Sequence, residues 1–152
     1  METFKFNSKN EVIAAAIEFV EEKARYTTDP LTSPSAMSDM LRLRIGDRER
    51  EVFCVVYLDS QHRLIDVEEL FYGTIDGAAV YPREVAKAAL AKNCAAVALG
   101  HNHPSGVASP SEADKRITQR LKEALALLDI RIVDHIIVAP KESYSFAANG
   151  LM

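Results

Sequence analysis

From Asn10 to about Arg25 apolar residues recur at helical spacing: Ile13, Ala16, Ile17, Val20 and Ala24 share one face, with Glu11, Glu18, Glu21, Glu22 and Lys23 mostly off it. The spacing predicts an amphipathic helix. Tyr26 to Ser35 is rich in turn formers, with Asp29 and Ser33 directly before Pro30 and Pro34, and reads as a linker. The expected organisation is an N-terminal helix and linker over residues 1–34, followed by one domain over 35–152. A short helix is predicted over Ser35–Leu43, after which the period becomes that of strands. Val52–Leu58 and Leu64–Phe71 flank the polar Asp59–Arg63 and read as a hairpin. Gly73-Thr74 and Gly77 mark a loop. Pro82 then opens a helix at the position that tolerates a missing N–H; Val85, Ala89 and Leu90 form its apolar side, and it ends near Asn93. Ala95–Gly100 is apolar throughout, as suits a strand covered on both faces. Ser109-Pro110-Ser111-Glu112 has the Ser-x-x-Glu form of a capping box with Pro at the first helical position, and Ile117, Leu121, Ala124, Leu125 and Leu128 follow as one stripe. Ile130–Ala139 reads as a strand and Tyr144–Phe146 as a last short one. The alternation predicts an α/β or α+β fold with helices packed on a mixed sheet.

Composition narrows the partners. The chain of 152 residues is 48% hydrophobic, enough for one domain with a sizeable core. Its net charge of -4 and pI near 5.6 argue against a dedicated nucleic-acid binder, which carries a basic surface. Cys54 and Cys94 both sit in apolar runs, where cysteine behaves as a small buried hydrophobe. They form no disulfide framework and no CxxC pair, and the opening Met-Glu-Thr-Phe-Lys has no signal-peptide pattern. A reducing cytoplasm is the expected compartment. No apolar run approaches the roughly 18 residues of a membrane span.

The chemistry concentrates in Gly100-His101-Asn102-His103-Pro104-Ser105-Gly106. If His101 and His103 continue the preceding strand, they project from the same face and can reach one point. Zinc accepts imidazole and carboxylate, and a catalytic zinc takes three protein ligands and keeps a fourth position open. Asp114, in the first turn of the next helix and eleven residues after His103, completes an N,N,O set. The competing reading is a polar strand end, with Asp114 serving only its helix N-terminus. Ser111, three residues before Asp114, offers a hydroxyl that can donate to a developing oxyanion. The HExxH helix of familiar zinc peptidases is absent.

His101-x-His103-Pro104, Ser111 and Asp114, in that order and spacing, resemble the JAMM motif of the JAB/MPN+ metallopeptidase superfamily. The wider set His101-Asn-His-Pro-Ser-Gly106, Pro110-Ser111, Gly73-Thr74, Pro82-Arg83-Glu84, Asp134-His135 and Ser145-Phe146 resembles its RadC branch, over approximately Ser35–Met152. Full-length members of that branch carry an N-terminal helix-hairpin-helix region without counterpart here, so the short RadC-like proteins are the nearer match. The resemblance implies a JAB/MPN-like mixed sheet flanked by helices. It also implies a zinc-dependent hydrolase that acts on peptide or isopeptide bonds of a peptide or protein substrate, with His101, His103 and Asp114 as ligands. The family's general base is a Glu on an early core strand. Glu51, at the start of the first hydrophobic strand, fits that place; Glu49 competes, and either can equally be a solvated charge in Asp47-Arg-Glu-Arg-Glu51. The alternative function is a non-catalytic DNA-repair accessory or partner-binding module. His135 is expected to be a strand histidine satisfied in the core, with a supporting role for the site through Asp134 as its other option. His62 is expected in a turn, Asn102 in scaffold or substrate-backbone contacts, and Arg83 and Glu84 along the cleft or in helix-start electrostatics. Oligomeric state and substrate identity are not encoded in any recognisable motif.

Overall fold

A computed structural model of the chain describes residues 3–26, 33–73 and 78–152. Most of the predicted linker and the Thr74–Gly77 part of the predicted loop lie outside the described residues. Five strands, β1 (Val52–Leu58), β2 (Leu64–Tyr72), β3 (Ala96–Asn102), β4 (Arg131–Val138) and β5 (Ser143–Ser145), form one mixed sheet in the order β2-β1-β3-β4-β5. β1 runs antiparallel to both β2 and β3, whereas β3 and β4 are parallel. The helices are α1 (Lys9–Tyr26), α2 (Pro34–Ile45), α3 (Pro82–Ala91) and α4 (Glu112–Ala126).

Strand alternation divides the core into two layers. Val52, Cys54, Val56 and Leu58 pack with Ala96 and Ala98 against Met37, Met40, Leu41 and Ile45 of α2 and Ala24 of α1. On the opposite face Phe53, Val55, Tyr57, Val97 and Leu99 pack against Val85 and Ala89 of α3 and Leu121 and Leu125 of α4. β1 and β3 are buried on both faces, as continuous apolar runs require. Among the described residues no helix is long and apolar enough to cross a membrane.

Several boundaries differ from the sequence expectations for local reasons. α2 begins at Pro34, inside the predicted linker, because Ser33 is its N-cap: its backbone is extended, as a residue before proline requires, and its side chain accepts the Ala36 N–H. β3 runs two residues past Gly100, so His101 lies within the strand. α4 ends at Ala126, leaving Leu128 outside the helical stripe, where it is exposed. Leu90 likewise points to solvent and Val85 and Ala89 alone form the buried side of α3. His62 occupies the hairpin turn at a φ of 60°, and the Asp59 carboxylate holds that turn by accepting the N–H groups of Gln61 and Arg63.

Candidate metal centre

The parity of β3 places the site. Leu99 faces α4, so His101 does too, and His103 follows one residue beyond the strand end; Asn102 points to the other face. The His103 N–H donates to Val138 O at 2.9 Å, which keeps this residue in line with β4. Asn102 serves the scaffold: its Oδ1 accepts the Val52 N–H at 2.7 Å, and its Nδ2 donates to the carbonyls of Arg50 at 3.1 Å and Arg48 at 3.4 Å. These bonds hold the chain that enters β1 against the end of β3. The register Phe53↔His101 then brings Glu51 beside the histidines.

Asp114 reaches the same point through the cap of α4. The N-cap is Ser111 and not Ser109: Ser111 Oγ accepts the Asp114 N–H at 3.0 Å, and Asp114 Oδ2 accepts the Ser111 N–H at 2.8 Å. This reciprocal pair corrects the Ser109–Glu112 box expected from sequence and moves Pro110 ahead of the helix. It also fixes the Asp114 carboxylate in one orientation, with Oδ1 at 3.3 Å from His101 Nε2 and Oδ2 at 3.2 Å from His103 Nε2. The two Nε2 atoms are 2.9 Å apart. His103 Nδ1 lies 2.9 Å from Val107 O, a pure acceptor, so Nδ1 carries a proton and Nε2 is the atom turned to the cluster. Among the described residues no other group of three His, Cys, Asp or Glu side chains converges in this way.

The cluster opens into a cleft of about 440 Å³. Glu51, His103, Ser111 and Asp114 supply polar groups, and Phe53, Ala78, Val80, Ala113 and Ile117 supply apolar walls. Glu49 is exposed in the bend before β1 and lies outside the lining, as do the exposed Arg83 and Glu84, whose expected place along the cleft is not observed; Glu84 pairs instead with Lys87 at 3.5 Å. Burial pushes the Glu51 carboxyl above its ordinary value, against the lowering pull of His101, His103 and the Ala78 N–H. Burial acts the same way on Asp114, but the neighbouring imidazoles of His101 and His103 outweigh it and hold that carboxyl well below the carboxylate range. His103 is raised by its hydrogen bond to Asp114, which exceeds the opposing effect of burial.

His135 is fully buried, with Nε2 at 2.7 Å from His101 Nδ1 and Nδ1 at 2.6 Å from Thr118 Oγ1. It touches His101 directly, and the role expected through Asp134 is absent. Asp134 turns away, accepting from Ser145 Oγ at 2.6 Å and from the Ala147 N–H at 2.9 Å. Sequence reasoning passed over two residues of the site. Phe53 stacks on His101 with ring centroids 6.0 Å apart, which only the β1–β3 register reveals. Thr118 lies four residues after Asp114 on one helix, a spacing that marks a shared face.

Residues 31–151 match the family described as RadC-like JAB domain. The chain is 53% identical over 143 residues to a UPF0758 protein of Thiobacillus denitrificans, which covers 90% of this chain and 64% of that one. It is 60% identical over 124 residues to a UPF0758 protein of Nitrosococcus oceani, covering 82% and 55%. A UPF0758 protein of Vibrio cholerae serotype O1 is 50% identical over 143 residues, covering 93% and 89%. The chain thus spans about half to two thirds of the length of most of the curated relatives it matches.

Proposed function

The chain belongs to the RadC-like JAB domain family, and on that premise we propose that it is a zinc-dependent hydrolase of peptide or isopeptide bonds in a peptide or protein substrate. The observation that carries this reading is the convergence of two imidazole nitrogens and one carboxylate, 2.9 to 3.3 Å apart, at the floor of a cleft. Two nitrogens and an oxygen are donors that zinc accepts, and tetrahedral bonds of about 2.0–2.1 Å give donor separations of about 3.3 Å. His101, His103 and Asp114 would hold the ion, and three protein ligands leave a position for the reactants. A zinc ion held there supplies Lewis acidity, polarising a carbonyl and acidifying a water.

The protein's own groups divide the remaining work. Glu51 lines the cleft beside the cluster, and its raised affinity for a proton suits a base that takes one from the attacking water and passes it to the leaving amine. Ser111 Oγ accepts from the Asp114 N–H, so its own O–H is free to donate to an oxyanion in the cleft. Phe53, Val80 and Ile117 present an apolar wall on which an extended substrate rests.

The test is zinc titration against a chromophoric chelator, followed by hydrolysis of a mixed peptide library and of isopeptide-linked probes. One zinc per chain, lost in His103→Ala, and a rate that falls by about 10²–10⁴ in Glu51→Gln with zinc retained, are expected. Absence of stoichiometric zinc, or a Glu51→Gln variant as active as the parent, overturns the proposal. A protein that binds zinc and cleaves nothing is the partner-binding module instead.

A further inference from the structure

Beyond the cluster, a continuous hydrogen-bonded line runs through the core from one end of the donor set to the other. Thr118 Oγ1 lies 2.6 Å from Asp114 O, and a carbonyl oxygen only accepts, so the threonine proton is committed there. His135 Nδ1, 2.6 Å from the same Oγ1, must then be the donor, which gives the neutral His135 its lone pair at Nε2. His101 Nδ1, 2.7 Å away, must in turn carry a proton and donate it. The consequence is that the His101 Nε2 lone pair faces His103 and Asp114. The plane of the His135 ring is set by packing: Phe146 stacks on it with centroids 4.7 Å apart and Phe53 meets it edge-on at 5.7 Å.

We propose that His135 is a positioning residue which, with Thr118, selects the Nδ1–H tautomer of His101 before any metal arrives and so prepares its Nε2 as a ligand. The line starts on the backbone of Asp114, so the helix that supplies one donor dictates the tautomer of another. Outer partners of this kind orient ligating histidines and are worth about 10–100-fold in metal affinity. The role rests on the metal-centre reading of the site, but the tautomer itself is a property of the metal-free chain.

The two are separated by ¹⁵N-histidine NMR of the full chain in chelator, followed by zinc titration of the same samples. The expected spectrum shows His101 and His135 both as Nδ1–H tautomers. Thr118→Val and His135→Phe should release His101 to a tautomer mixture and weaken zinc binding about 10–100-fold. Thr118→Ser and His135→Gln, which keep a donor and an acceptor, should recover most of the loss. An Nε2–H tautomer of His101 in the unmodified protein overturns the proposal. So does a Thr118→Val variant, folded by its amide spectrum, that keeps the parental tautomer and affinity. The expected tautomers in a protein that takes up no zinc would support the preset imidazole and sink the hydrolase reading alone.

Discussion

Gly100 is where a missing side chain lets β3 sit close against α2. A Cβ there would meet the two Leu41 methyls at 2.8 and 2.9 Å and Cys54 Sγ at 3.2 Å, and all three partners are in the packed layer between sheet and helix. Overfilling such a layer forces side chains off their rotamers or displaces backbone. Gly100→Ala is therefore expected to cost about 1–3 kcal/mol in urea unfolding, and because His101 is the next residue, zinc affinity should fall with it. A loss of stability with unchanged zinc affinity would show that α2 yields and the strand does not. The same scale explains why the sequence left Glu49 and Glu51 open. Two residues apart, they share parity in any extended strand, and the charges of Asp47-Arg-Glu-Arg-Glu51 carry no direction. The bend before Val52, tied by Asn102 to the carbonyls of Arg48 and Arg50, is what separates them, and Asn102 lies about fifty residues away in sequence.

At the scale of elements, α4 carries two overlapping capping patterns, Ser109-x-x-Glu112 and Ser111-x-x-Asp114, and the sequence favours the first, with its Glu and with Pro110 at the first helical position. The structure uses the second. Removing an N-cap hydroxyl costs about 0.5–2 kcal/mol, whereas an exposed serine outside the cap is worth less than about 0.5. In chelator, Ser111→Ala should thus lower the unfolding midpoint clearly and Ser109→Ala should hardly move it; the reverse order would restore the upstream box. The elements that sequence located best are those whose signal is local and periodic: the hairpin, α4, and the doubly buried run of β3. Those located least well depend on what a segment meets. Ser33-Pro34 reads as linker until Met37, Met40 and Leu41 are seen to pack on the sheet and make the helix worth starting there. His135 reads as a core histidine until the parallel pairing of β3 with β4 sets it beside His101.

The whole molecule is held across its layers as well as within them, and one carboxylate joins three elements at the open edge of the sheet. Asp66 on β2 accepts from Lys92 Nζ, just past α3, at 2.7 Å and from the Val67 N–H at 2.8 Å, and it lies 3.8 Å from Arg25 on α1. Partial burial raises the Asp66 carboxyl, but the hydrogen bond from Lys92 and the neighbouring charges outweigh it, so its affinity for a proton is below the ordinary value. A carboxyl whose folded value is depressed contributes stability that is present above the unfolded value, about 3.9, and is lost as pH falls through the folded one. The side chain is 33% exposed, so solvent screening limits this contribution to about 1 kcal/mol or less. Asp66→Asn should therefore be less stable than the parent at pH 6–7, and the gap should close as acid protonates the parent's carboxyl below about pH 4. Urea midpoints of both proteins between pH 3 and 7 would measure it, in low salt where the interaction is least screened. A gap that persists unchanged into acid would mean that Asp66 acts by shape and hydrogen bonding alone, and that the tie between α1, the sheet edge and α3 is not electrostatic.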